Sequence, residues 1–178
     1  MAEYHLTASQ TVGPYLHLAL LGDLIGPEIV ARDGPGAIVI RGRLLDGAGA
    51  PVPDGMVETW QADPSGRYGT PGFAGIGRCG TVDGGSFELV TVKPGRVEHP
   101  DGRQQAPHLA VGVFARGLLK RLVTRLYFPD EATANDEDPV LGLLSAAERA
   151  TLVAVPDDGF LRFDIRLQGP GQTTFFAL

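Results

Sequence analysis

Short runs of alternating apolar and polar residues, broken repeatedly by glycine and proline, constrain this chain more than any other feature. Residues 38–46, 56–62 and 86–92 alternate with the two-residue period of a half-buried strand. A turn cluster at 47–53, a long Gly- and Pro-rich connection at 63–78 and the pair Gly84-Gly85 separate them. Residues 108–115, 121–128 and 161–167 repeat the pattern. Strands joined by turns instead of helices predict an all-β protein, and more narrowly a β-sandwich. One short helix is expected, opening at Ser145-Ala146-Ala147-Glu148 and running to about Leu152. There the Ser hydroxyl and Glu carboxylate can each satisfy a free backbone donor of the other residue.

The 178 residues suffice for one domain with an arm. Residues 1–36 read as an extended N-terminal arm and 37–178 as the sandwich domain. The arm carries a Gly13-Pro14 turn signal and a short apolar run at 16–21 that Gly26-Pro27 stops. His17, set among leucines in that run, reads as a packed surface histidine. Such an arm needs its own sandwich or a partner to lie on. The apolar tail Thr173-Thr174-Phe175-Phe176 poses the same choice, docked in the fold or buried against another subunit.

Composition excludes several classes. A formal charge of −6 and a pI near 5.1 argue against nucleic acid, whose phosphates need a basic face. No apolar run approaches the roughly 20 residues of a membrane span, and the first residues lack a signal peptide's basic and apolar regions. A single cysteine, Cys79, allows no internal disulfide and fits a reducing cytoplasm, with the thiol in a structural role.

The candidate chemistry gathers around a polar loop at 93–109, which lies between two strand patterns and carries two of the four histidines. No His-x-His, Glu-x-x-His or Cys-x-x-Cys is present, and no nucleophile elbow or phosphate loop. Tyr68 and His108 lie far apart in sequence, and either reads equally as a hydrogen-bonded core residue. From the residues alone, this is a β-sandwich whose chemistry stays open.

A resemblance narrows the choice. Residues 42–53, Val57-Glu58-Thr59-Trp60-Gln61-Ala62-Asp63, Gly66-Arg67-Tyr68, Val92-Lys93-Pro94-Gly95 and Leu126-Tyr127-Phe128 resemble the intradiol ring-cleaving dioxygenases, in the family's order. Residues 9–15, Ala106-Pro107-His108, Phe114-Ala115-Arg116-Gly117 and the C-terminal Phe163-Asp164-Ile165-Arg166 resemble the alpha subunits of its heteromeric members. The resemblance implies a β-sandwich of the intradiol type. It also implies a non-haem Fe(III) held by two tyrosines and two histidines. Tyr68 and His108 match two of those ligands, whereas Val97 and Ala110 stand where the other two would be, and Gln105 replaces an arginine. Val and Ala offer no donor atom, so hard Fe(III) has no complete ligand set in this chain.

What the resemblance then implies is a partner. Fe(III) would be bound by a beta subunit of the same family, and this chain would help shape the pocket for a small aromatic acid. Gly13, Pro14, Tyr15 and Arg116 match positions that line it, and an arginine fork pairs well with a carboxylate. Arg125, where active members usually carry Gln, is expected to point into the vacated metal pocket. The alternatives are a self-sufficient metalloenzyme with a variant site at Tyr68 and His108, and a binding or scaffold module with no catalytic complex.

Overall fold

Eleven strands form the body of the chain in a computed structural model that describes residues 8–22 and 25–177, apart from the side chain of His17. The reading of that histidine therefore lies outside the described residues. The strands are β1 Ala37–Leu45, β2 Met56–Trp60, β3 Ile76–Gly80, β4 Ser86–Val92, β5 Val97–Glu98, β6 Gln104–Gln105, β7 His108–Phe114, β8 Leu122–Tyr127, β9 Val155–Asp157, β10 Phe160–Arg162 and β11 Ile165–Arg166. In the first sheet β1 pairs antiparallel with β4 on one side and parallel with β10 and then β11 on the other. β9 extends it beyond β10. The second sheet runs β3-β2-β7-β8, antiparallel throughout. A third, two-stranded ribbon joins β5 to β6.

Alternation decides which face each strand buries. Ile40 and Leu44 of β1, with Phe87 and Leu89 of β4, meet Val57, Leu109, Val111, Val113 and Leu126 of the second sheet in one apolar core. Arg41 and Arg43 alternate outward to solvent. Leu141 and Leu152 pack with Tyr127 in a smaller cluster beside it. The architecture is the β-sandwich that the alternation predicts.

The differences from the expectation are local. The connection expected at 63–78 ends in β3, whose Gly77 and Gly80 leave room for Ile29 and Leu21 of the arm. An apolar pattern is missing there because two of the five residues are glycines, which present no side chain. The single run expected at 161–167 is split. Phe163 N–H donates to Arg41, and Asp164 Oδ1 accepts from the Arg43 N–H, interrupting the ladder between β10 and β11. Instead of one helix there are three α-helices among the described residues, α1 Tyr15–Leu20, α2 Ala132–Glu137 and α3 Ala146–Ala150. The Ser145–Glu148 box does open α3. α1 and α2 have no side-chain cap, so the usual sequence signal for a helix start is absent from both. The arm is thus partly helical, and Ile29 N–H donates to Val90 of β4. The tail is docked: Phe176 bridges Val123 of β8, and Phe175 packs on the main core.

Candidate functional site

Strand register assembles the first group of candidates. His108 stands opposite Tyr127, and Ala110 stands between Arg125 on β8 and Trp60 on β2. Because Leu109, Val111 and Leu126 point into the core, this set lies on the opposite face of the second sheet. Tyr68 covers it from the loop after β2, its ring stacked on Trp60 with centroids 6.2 Å apart. Val97 and Gln105, paired across the β5–β6 ribbon and both buried, close another side.

Asp63 holds the Tyr68 loop in place. Its side chain accepts from the backbone of Ser65 and Arg67 and from the hydroxyls of Ser65 and Thr70. These donors keep its carboxyl well below the usual carboxylate range. Gly66 has φ +81, and a Cβ there would fall 2.1 Å from the Arg96 carbonyl oxygen, so this turn needs glycine to lie against the 93–109 stretch.

A guanidinium occupies the pocket. Arg125 Nη1 donates to Gln105 Oε1 at 2.7 Å and to the Tyr127 hydroxyl at 3.1 Å. Tyr127 in turn donates to Asp138 Oδ1 at 3.3 Å, and Asp138 accepts from the backbone N–H groups of Ala106, Val140 and Leu141. The His108 Nδ1 proton goes to the Ala106 carbonyl at 2.8 Å. Burial, reinforced by the charge of Arg125, pushes the His108 pKa down to about 4, so the ring is neutral near pH 7. Burial raises the Tyr68 phenol, an effect the same charge partly offsets.

This donor set does not fit a ferric ion. Ferric iron favours hard, anionic ligands. Here two walls are the hydrocarbon of Val97 and Ala110, and a fixed cation already sits among the polar groups. Among the described residues no three His, Cys, Asp or Glu side chains lie close enough to hold a metal.

The remaining candidates lie at the other end of β7. Gly13 O accepts from Leu16 N–H at the start of α1, Pro14 stands immediately before that helix, and Tyr15 is 79% exposed. Thr11 Oγ1 accepts from Gly117 N–H at 2.8 Å, which ties the arm beside Arg116. Arg116 is exposed and pairs with Asp54 Oδ2 at 3.1 Å. Eight residues of nearly extended chain, about 25 Å, separate Arg116 from His108. The structure thus brings Tyr68, His108 and Arg125 to one place, and Arg116 and the arm to another. Sequence reasoning missed Asp54, Tyr127 and Asp138. Tyr127 could have been found from strand register, whereas no motif marks Asp54 or Asp138.

Comparison with known proteins places these features. The Dioxygenase family model matches residues 28–169. The chain is 43% identical to the protocatechuate 3,4-dioxygenase alpha chain of Pseudomonas putida, covering 96% of this chain and 95% of that one. It is 33% identical to the protocatechuate 3,4-dioxygenase beta chain of Burkholderia cepacia over 76% of this chain and 66% of that one. Among solved structures, the dioxygenase domain of a dioxygenase carbohydrate-binding protein fusion from Streptomyces sp. SirexAA-E superposes with a TM-score of 0.59. That match has 25% identity and covers 92% of this chain and 99% of that domain.

Proposed function

We infer, on the premise that this chain belongs to the intradiol ring-cleaving dioxygenase family, that it works as the alpha chain of a heteromeric protocatechuate 3,4-dioxygenase. The observation that carries this is the end-to-end match to an alpha chain, against a partial and weaker match to a beta chain. The family depends on non-haem Fe(III). In this reading the iron belongs to the beta subunit, because Val97, Ala110 and Arg125 leave no ligand set here. The complex would open 3,4-dihydroxybenzoate with O2 to 3-carboxy-cis,cis-muconate. A cytoplasmic setting fits the single, partly buried thiol of Cys79.

The part played by this chain is positional. Arg116 offers a planar fork to the substrate carboxylate, and Gly13, Pro14 and Tyr15, held nearby through Thr11, complete the wall. To bind the acid, Arg116 must exchange Asp54 for the substrate. An exposed pair of this kind contributes only about 0–1 kcal/mol, so the exchange costs little. Fixing the carboxylate sets the orientation of the ring, and orientation is a source of rate.

The test compares two substrates in the alpha/beta complex at matched iron content. A charge-assisted hydrogen bond contributes about 1.5–3 kcal/mol, so Arg116→Ala should lower kcat/KM for protocatechuate roughly ten- to a hundredfold. Catechol, which has no carboxylate, should be affected far less. Arg116→Lys should recover only part of the loss. Equal losses on both substrates, read by oxygen uptake, would assign Arg116 to the fold or the interface.

A further inference from the structure

We propose that Asp54 is a positioning residue that tunes the affinity of Arg116 for acid substrates, by serving as the carboxylate that the substrate's own must displace. This role rests on the reading that Arg116 binds the substrate carboxylate. Strand register creates the pair. Met56 of β2 stands opposite Phe114 of β7, so two residues beyond the ladder Asp54 comes opposite Arg116. Gly55 lets the turn into β2 lie close against β7, since a Cβ there would fall 2.5 Å from Leu44 Cδ2 and 3.1 Å from the Phe114 carbonyl oxygen. On the other strand Leu118 N–H donates to the Ala115 carbonyl at 3.2 Å, closing a turn with Arg116 at its corner.

Backbone bonds fix both turns without the pair. Gly55 N–H donates to Thr81 Oγ1 at 2.8 Å, and Thr81 N–H donates to the Gly55 carbonyl at 2.9 Å. Gly117 N–H donates to Thr11, and Ala115 is fully buried. The contact between Asp54 and Arg116 therefore adds little to the fold. It decides where the guanidinium rests. The two side chains are 37% and 77% exposed, and among the described residues each is the other's only ionic partner.

Such an arrangement selects among anions. A carboxylate tethered in the same fold competes for the guanidinium at a fixed local concentration. A weak anion that reaches one N–H gains little by displacing it, whereas a carboxylate that takes two parallel N–H bonds does. Asp54 thus keeps Arg116 from pairing with stray anions, and it holds the KM for acids above the value that Arg116 alone would set. Once the substrate is bound the pair is already broken, so the later steps do not depend on Asp54.

Oxygen-uptake kinetics of the alpha/beta complex, at matched iron content with protocatechuate and with catechol, test this. Asp54→Asn removes the competing charge and keeps the shape. It should lower KM for protocatechuate about two- to fivefold, the range an exposed ion pair allows, while kcat changes little. KM for catechol should move far less. In an Arg116→Ala background the same substitution should lose its effect on protocatechuate, because Asp54 acts through the guanidinium. An unchanged or raised KM in Asp54→Asn, with Arg116→Ala alone still selective against the acid, would overturn the role of Asp54 and keep that of Arg116. A fall in KM that persists without Arg116 would also overturn it, since the cause would then be plain repulsion between Asp54 and an anionic substrate. Equal losses on both substrates in Arg116→Ala would overturn both roles together.

Discussion

His108 is held neutral by its surroundings, and this makes the stability of its pocket depend on pH. Burial and then Arg125 disfavour its charged form, while the bond to Ala106 and the charge of Asp138 favour that form and lose. Its pKa falls from an ordinary 6.5 to about 4. As pH drops below 6.5, the unfolded chain takes up the proton first, so the folded state loses stability progressively down to about pH 4. The contribution is fully present above 6.5. A shift of this size corresponds to about 3 kcal/mol. His108→Gln should therefore flatten the acid limb, and urea unfolding of both proteins at pH 7 and pH 4.5 reads the difference. An identical pH dependence in the two would show that the ring is not responsible. His108, Tyr68, Val97 and Ala110 could be singled out in the sequence because they lie within short motifs. Asp138 was not, since its contact with Ala106 spans thirty-two residues and depends on where α2 lands.

At the level of elements, the tightest constraint is Gly42 in the middle of β1. A Cβ there would lie 1.9 Å from the Phe163 carbonyl oxygen and 2.6 Å from the Phe87 ring. Its backbone is unremarkable, so the requirement is for space and not for conformation. Gly42→Ala should cost more than about 3 kcal/mol, by forcing β1 away from the junction of β10 and β11. Gly142→Ala, where a Cβ meets nothing within 4 Å, should stay within about 0.5 kcal/mol. Urea midpoints of the pair check this, and a mild Gly42→Ala would mean that the split strand can shift. The long alternating strands were readable from period alone. β3, β5, β6 and β9 were not, because two- to five-residue strands rich in glycine, glutamine or proline carry no apolar stripe. Their pairing comes from neighbours already in place.

For the whole molecule, the docked tail removes one reason to expect a partner and leaves another. Phe175 and Phe176 are already partly covered by the chain's own fold. Tyr15 and Leu18, three apart on α1, stand 79% and 76% exposed. If that face meets the beta chain, Leu18→Asp should weaken co-elution of the two chains in gel filtration by more than about tenfold, the loss expected for a buried apolar anchor. Leu143→Asp, at an equally exposed leucine elsewhere, should not. Equal behaviour of the two variants would place the interface away from α1. The chain expressed alone should also purify without stoichiometric iron, and one iron per chain would overturn the reading of Val97 and Ala110. The separation of His108 from Arg116 along β7 has a consequence for descent. A third of the aligned positions are shared with a beta chain, which is the relation expected of duplicated genes. After such a duplication, one end of the strand could lose its ligands by drift while selection preserved the other, because neither end touches the other's neighbours. Had both lain at one end, decay of the first would have taken the second with it.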